Sequence, residues 1–313
     1  MNNYILRKII SYNKKNNKYT YKYLKNGKGI EYKKVKRYLK DIYIPPAYDN
    51  VQINTNQNSK VLAIGYDQKG RSQYIYNKSH TKSSNYNKFK KLIYFGDNYK
   101  RIINKINSDL FMIDESKNKQ IAMILKIIIE CNFRIGNDKY TTLNKSYGVS
   151  TLENRHITIK KNKIMIDFIG KKGVRNKCTL KNNKLSKNIR NKKKLVNKKD
   201  RIFSYRKGIQ YKNITSNDVN RYLKELGDFT TKNFRTWGAN IQLIKNLINN
   251  KPLKECINIT SNRLHHTPSI CKKNYLEPNL IKFYEKDPIE FMEFFKGDIN
   301  NKFIIFLKQI YNN

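Results

Sequence analysis

From Tyr4 to Tyr76, aromatic and β-branched residues alternate with polar ones in short runs, the period-two pattern of strands half-buried in a sheet. The runs are Tyr4–Tyr12, Lys18–Leu24, Asp41–Ile44, Val51–Ile53, Val61–Tyr66 and Gln73–Tyr76, separated by Asn, Gly and Pro turn signals. They predict a small β-rich domain over residues 1–82. The polar, aperiodic stretch Thr81-Lys82-Ser83-Ser84-Asn85 reads as a linker. Beyond it the period changes. Gln120–Phe133 carries the apolar spacing of a buried helix ending near Gly136, while His156–Lys160 and Ile164–Phe168 alternate as a hairpin. A third strand, Val174–Leu180, follows the turn Gly170-Lys171-Lys172-Gly173. Helices are predicted over Ser216–Leu226, Thr231–Asn249 and Pro288–Tyr311, where Phe, Ile and Leu recur at core spacing. The fold class is α+β: a β-rich N-terminal domain and a larger, mainly helical domain over 83–313 holding a small antiparallel sheet.

Charge changes this picture from a fold to a partner. Lys+Arg number 66 against 23 Asp+Glu, a formal net charge of +43 over 313 residues. An AT-rich genome inflates Lys, Asn, Ile and Tyr, yet such a bias leaves the shortage of acids unexplained. A polyanion is the expected partner. The segment Lys181–Arg201 is nearly all Lys, Asn and Arg, with Asp200 its one acid, and reads as an exposed loop or short helix. No run of about 18 apolar residues appears and the N-terminus lacks a signal-peptide pattern, so an intracellular protein without a membrane segment is expected. Cys131, Cys178, Cys256 and Cys271 are far apart with no C-x-x-C pair, and read as reduced thiols. No metal or cofactor is expected.

The candidate chemistry sits in His266-Thr267-Pro268-Ser269 and Tyr275, an imidazole and a phenol on one short segment. Thr267 suits an N-cap and Pro268 the first helical position, while Pro278 disfavours helix at Glu277. Tyr275 therefore ends a helix of about two turns bounded by prolines. Such a segment is expected to swing, so that the reacting groups need not converge in the absence of DNA. Arg134 in Phe133-Arg-Ile-Gly136, Lys171 in Gly170-Lys-Lys172, and Arg235 with Lys232 in Lys232-Asn-Phe-Arg-Thr-Trp-Gly238 recur at element boundaries, where a rigid scaffold presents side chains to a ligand.

Together these residues resemble the poxvirus-type type IB DNA topoisomerases, in order and at family spacing over nearly the whole chain. Ile44-Pro-Pro-Ala-Tyr48 and Gly65–Tyr76 look like that family's DNA-contacting N-terminal domain. The resemblance implies Arg134, Lys171, Arg235, His266 and nucleophilic Tyr275 as catalytic residues. It further implies DNA contacts at Arg71, Gln73, Tyr74, Tyr76, His80, Lys139, Tyr140 and Lys232. Tyr74, Tyr76 and His80 have the parity that shares one face. The implied activity is relaxation of supercoiled double-stranded DNA, without ATP or metal, by a monomer that clamps the duplex and needs no protein partner. By the same resemblance the location is the virion and host cytoplasm. Two departures stand out: Asn137-Asp138 replaces basic residues, and Lys172 stands where some relatives have an acid.

The residue types support that chemistry independently. Guanidiniums stay protonated and grip phosphate in bidentate fashion, which suits the charge that develops on non-bridging oxygens. A phenol is mostly neutral near pH 7, and surrounding cations favour its phenolate. A lysine on a hairpin tip among cations is suited to protonate a leaving oxygen. Tyrosine recombinases share the fold and chemistry but usually carry a histidine where this chain has Lys232, and they lack the Ile44-Pro-Pro-Ala motif. A non-catalytic DNA-packaging protein would be satisfied by charge alone.

Overall fold

The computed structural model describes residues 3–40 and 42–312. The chain divides into two compact units, Met1–Lys88 and Phe89–Asn313. The first contains β1 (Tyr4–Asn13), β2 (Lys18–Lys25), β3 (Lys28–Gly29), α1 (Tyr32–Leu39), β4 (Asp49–Asn54), β5 (Val61–Tyr66) and β6 (Ser72–Tyr76). The strands form one sheet in the order β3-β2-β1-β4-β5-β6, every pairing antiparallel. Alternation drives this arrangement: Ile5, Val51, Ile53 and Ala63 share one face and bury against Val35 of α1 and Ile44.

Two expectations fail here. Residues 42–44 form no strand, and Asp41, where that run was expected to begin, lies outside the described residues. The segment ahead of it is instead helical, because α1 buries Val35 and packs Tyr38 and Leu39 on the sheet while its lysines stay outside. The stretch 81–85 is also no linker. It lies inside α2 (Lys78–Phe111), a helix with no proline to break it, which gains a buried face from Phe89 onward.

The second unit continues with α3 (Lys117–Cys131), α4 (Asp138–Asn144), β7 (Ile157–Lys160), β8 (Lys163–Ile169), β9 (Arg175–Lys181) and α5 (Asn183–Lys194). After the hairpin β10 (Ser204–Lys207) and β11 (Gln210–Asn213) come α6 (Ser216–Glu225), α7 (Thr231–Leu247), α8 (Leu253–Arg263), α9 (Pro268–Asn274), α10 (Pro278–Lys286), α11 (Pro288–Phe294) and α12 (Ile299–Tyr311). The sheet β7-β8-β9 is the expected antiparallel one. An α+β fold follows, with α3 and α7 at the centre of a large apolar core. The continuous helix expected over 288–311 is split, since Gly297 takes a φ of +93° and Asp298 caps a new helix by accepting from Asn300 and Asn301 N–H.

Not all the cysteines are thiols. Cys131 at the end of α3 and Cys178 on β9 form a disulfide with Cα atoms 5.8 Å apart. They are 47 residues apart in sequence, and only the packing of helix on sheet makes them neighbours. Cys256 and Cys271 are free and buried.

The basic segment after residue 181 proves to be two-sided. Buried Lys192 donates to the Ser204 carbonyl and Lys193 to the carbonyls of Asn154 and Ile157, so part of the run satisfies backbone acceptors rather than facing solvent.

Candidate active site

Arg134 lies in the short segment between α3 and α4, and a close backbone approach holds it there. Val149 and Ser150 N–H donate to the carbonyls of Arg134 and Ile135 at 2.9 and 2.7 Å. Gly136, at φ +96°, packs against Gly148, where a Cβ would fall 2.3 Å from the Gly136 nitrogen. Lys171 occupies the tight turn between β8 and β9, closed by Gly170 N–H donating to Val174 O at 2.8 Å. Arg235 sits in the first half of α7, 4% exposed. Its Nη1 donates to the carbonyl of Asn132, the left-handed residue that ends α3, and its Nη2 reaches Leu264 O at 3.2 Å. Burial pulls its pKa down to about 10, which leaves it charged near neutral pH. Trp237, two residues on, is buried against Phe95, Tyr99 and Phe303.

His266 and Tyr275 frame α9 as expected. Thr267 accepts from Ile270 N–H, Pro268 opens the helix and Tyr275 ends it. Arg134 Nη2 lies 2.7 Å from His266 Nε2, and Arg235 Nη2 lies 3.3 Å from the same atom. The His266 and Tyr275 ring centroids are 5.0 Å apart, and the Arg235 guanidinium stands 5.4 Å over the Tyr275 ring. Burial, then the charges of Arg134 and Arg235, push His266 down to about 3. His265, at φ +55° and packed on Phe133, is pushed to about 4, again by burial first.

Arg134, His265, His266 and Tyr275 border a cavity of about 790 Å³ whose lining also includes Lys171, Lys172, Arg175 and Lys232 and, among the described residues, contains no carboxylate. A cavity so lined is an anion site. Arg134, Arg235 and Tyr275 are gathered around the His266 imidazole. The reason is packing: Cys271 and Leu276 are buried, and Asn240 of α7 donates to Tyr275 O at 2.9 Å and accepts from Glu277 N–H at 2.8 Å. Asn240 is the position that sequence reasoning missed. Its one signal was a polar residue inside the apolar run Ala239-Asn240-Ile241.

The remaining expected contacts are surface groups. Lys139 and Tyr140 are exposed on α4, where Asn137 acts as N-cap and Asp138 pairs with Arg201. In the N-terminal unit, exposed Tyr74 and Tyr76 of β6 and half-buried His80, which lies in α2 and not on the strand, form an aromatic row with centroids 6.3 and 6.1 Å apart. Arg71 and Gln73 both bond to Asp67, at 2.8 and 3.0 Å.

Residues 77–275 match the family model of the eukaryotic DNA topoisomerase I catalytic core, and residues 18–67 match that of the bacterial DNA topoisomerase IB N-terminal domain. The chain is 33% identical to the DNA topoisomerase 1B of Acanthamoeba polyphaga mimivirus, over 95% of its own length and 92% of the relative's. The chain belongs to the type IB DNA topoisomerases. Two further relatives are also viral. The DNA topoisomerase 1B of vaccinia virus (strain Copenhagen) is 27% identical over 72% of each chain, and the DNA topoisomerase 1 of rabbit fibroma virus 28% over 80% of this chain and 81% of the relative. As a type IB topoisomerase, this chain is an isomerase whose substrate is DNA. No helix among the described residues is long and apolar enough to cross a membrane.

Proposed function

We propose that this topoisomerase relaxes supercoiled duplex DNA through a DNA-(3′-phosphotyrosyl) intermediate, without ATP or metal. The observation that carries the reading is the convergence of Arg134, Arg235 and Tyr275 on His266. Tyr275 Oη attacks phosphorus as the phenolic proton is lost to solvent, and the P–O5′ bond breaks. Lys171 gives a proton to the departing O5′. Arg134 and Arg235 stabilise the charge on the non-bridging oxygens, and His266 donates a hydrogen bond to one of them. The phosphodiester energy is kept in the covalent bond, so the reversed step reseals the strand after rotation of the free end.

The imidazole Nε2 faces two guanidinium donors, so it acts as an acceptor. A phosphate in the cavity supplies better acceptors, draws both arginines to itself, and allows the ring to change tautomer or protonate and become a donor.

The N-terminal β-rich domain (residues 1–82) contacts DNA through Arg71, Gln73, Tyr74, Tyr76 and His80, and the catalytic domain (residues 83–313) adds Lys139, Tyr140 and Lys232. The protein acts as a monomer clamping the duplex, in the virion and host cytoplasm. The experiment is a nicked duplex that traps the covalent adduct. Wild type forms it and Tyr275→Phe does not; an adduct in the Phe variant overturns the assignment. Relaxation of a plasmid by monomeric protein without ATP or divalent cations tests the rest, and obligate tetramers or strand exchange would favour a recombinase.

A further inference from the structure

The N-terminal sheet has a second aromatic surface on the face opposite Tyr74 and Tyr76. Strand register establishes this. Tyr74 lies across from Ile64, and Ile64 from Gln52, which pairs with Leu6. Tyr21 and Tyr23 instead pair with Ile9 and Arg7, whose parity is that of Ile5 on the α1 side. There a cavity of about 600 Å³, lined by Arg7, Tyr19, Tyr21, Tyr23, Tyr32 and Tyr43 among others, opens beside α1. That volume lies within the range of small-ligand and nucleotide sites, roughly 300–1,000 Å³.

Its chemistry is specific. The rings form pairs: Tyr12 with Tyr19 at 4.5 Å between centroids, Tyr19 with Tyr21 at 6.5 Å, and Tyr23 with Tyr32 at 5.7 Å. Arg7 lies at the floor, 5% exposed, with its guanidinium 4.4 Å over the Tyr21 ring. Its Nη2 donates to Pro45 and Tyr48 carbonyls, but its Nε has no acceptor. Among the described residues the cavity lining contains no carboxylate, and Lys14 and Lys15 in the β1–β2 turn and Lys18 at the start of β2 are close in sequence to Tyr12 and Tyr19. Tyr43, 76% exposed, stands at the rim with its ring free of the core.

We propose that this pocket binds single-stranded nucleic acid, stacking unpaired bases on its tyrosines while the turn lysines hold the phosphates. Stacking platforms joined to cationic tracks are how proteins hold unpaired strands without reading sequence. A duplex keeps its base faces covered and presents none to a concave ring-lined pocket, so the ligand is unpaired. The buried guanidinium of Arg7 stacked on Tyr21 favours a ring bearing carbonyl oxygens. Among the described residues the lining gives a protein segment with basic residues no counter-charge.

The test uses full-length protein, a short fluorescent oligodeoxythymidine and an excess of unlabelled duplex to occupy the other face. Binding should persist under that excess, and irradiation of an oligonucleotide carrying 5-iododeoxyuridine should crosslink peptides containing Tyr19 or Tyr43. Tyr43→Ala, which removes an exposed ring and leaves the core intact, should weaken oligothymidine binding roughly tenfold, as should Tyr19→Ala. Tyr74→Ala should leave it unchanged. The proposal is overturned if an abasic oligomer binds as tightly as oligothymidine, if the loss appears in Tyr74→Ala and not in Tyr43→Ala, or if excess duplex abolishes binding.

Discussion

Arg134 Nη2 lies 2.7 Å from His266 Nε2, a contact that only a neutral imidazole with its lone pair on that nitrogen can make. Burial and the flanking guanidiniums, pushing the ring down to about 3, enforce that state. The site is thus a cluster of cations sharing one weak acceptor.

Acid should therefore destabilise the second unit through its histidines. The ordinary histidine value is 6.5, and the folded values are about 4 for His265 and about 3 for His266. Between those limits the unfolded chain binds more protons than the folded one, so stability is fully present above about 6.5 and declines as pH falls toward about 3. Melting temperatures measured across this range should fall more steeply in wild type than in His266→Asn. Parallel curves would refute the assignment.

Lys171→Ala should slow cleavage by about 10²–10⁴-fold, the usual contribution of a general acid. Replacement of the leaving 5′-oxygen by sulfur, which departs without a proton, should restore the rate. A variant that stays slow on the thio substrate removes Lys171 from the acid role.

Asn240 holds the nucleophile's own backbone. Asn240→Ala deletes its donor to Tyr275 O and its acceptor for Glu277 N–H, both buried, and should cost about 1–3 kcal/mol of stability. The freed turn should also slow single-turnover cleavage by up to about 100-fold through misplacement of the phenol. Cleavage at the wild-type rate would show that packing of Cys271 and Leu276 suffices.

The disulfide predicts a chemical count. Denatured, unreduced protein treated with iodoacetamide should be labelled at Cys256 and Cys271 alone, since Cys131 and Cys178 are bonded to each other. Cys131→Ser should lower stability by about 2–4 kcal/mol under oxidising conditions. Labelling of all four cysteines would refute the crosslink.

Much of the architecture was legible wherever a single period governed a segment. β7, β8 and β9 fall within a residue or two of the expected strands, and α3, α6 and α7 where apolar spacing put them. The failures share a cause. Residues 81–85 carry no periodicity of their own and become helical because α2 continues into a buried face. The lysine-rich α1 is a helix because one valine finds the sheet. Pairing of Cys131 with Cys178, like the grip of Asn240 on the Tyr275 turn, joins residues that no local pattern connects.

The sequence by itself determined the parts: the α+β composition, the order of Arg134, Lys171, Arg235, His266 and Tyr275, and an excess of cations that calls for a polyanion. Local geometry and charge are properties of short segments, so they can be read along the chain. Tertiary structure alone decided that Arg134, Arg235 and Tyr275 meet around His266, that His266 is held neutral, and that the N-terminal sheet carries tyrosines on both faces. Each of these depends on which side chains are brought together and which are removed from water, and neither is settled until the core has closed.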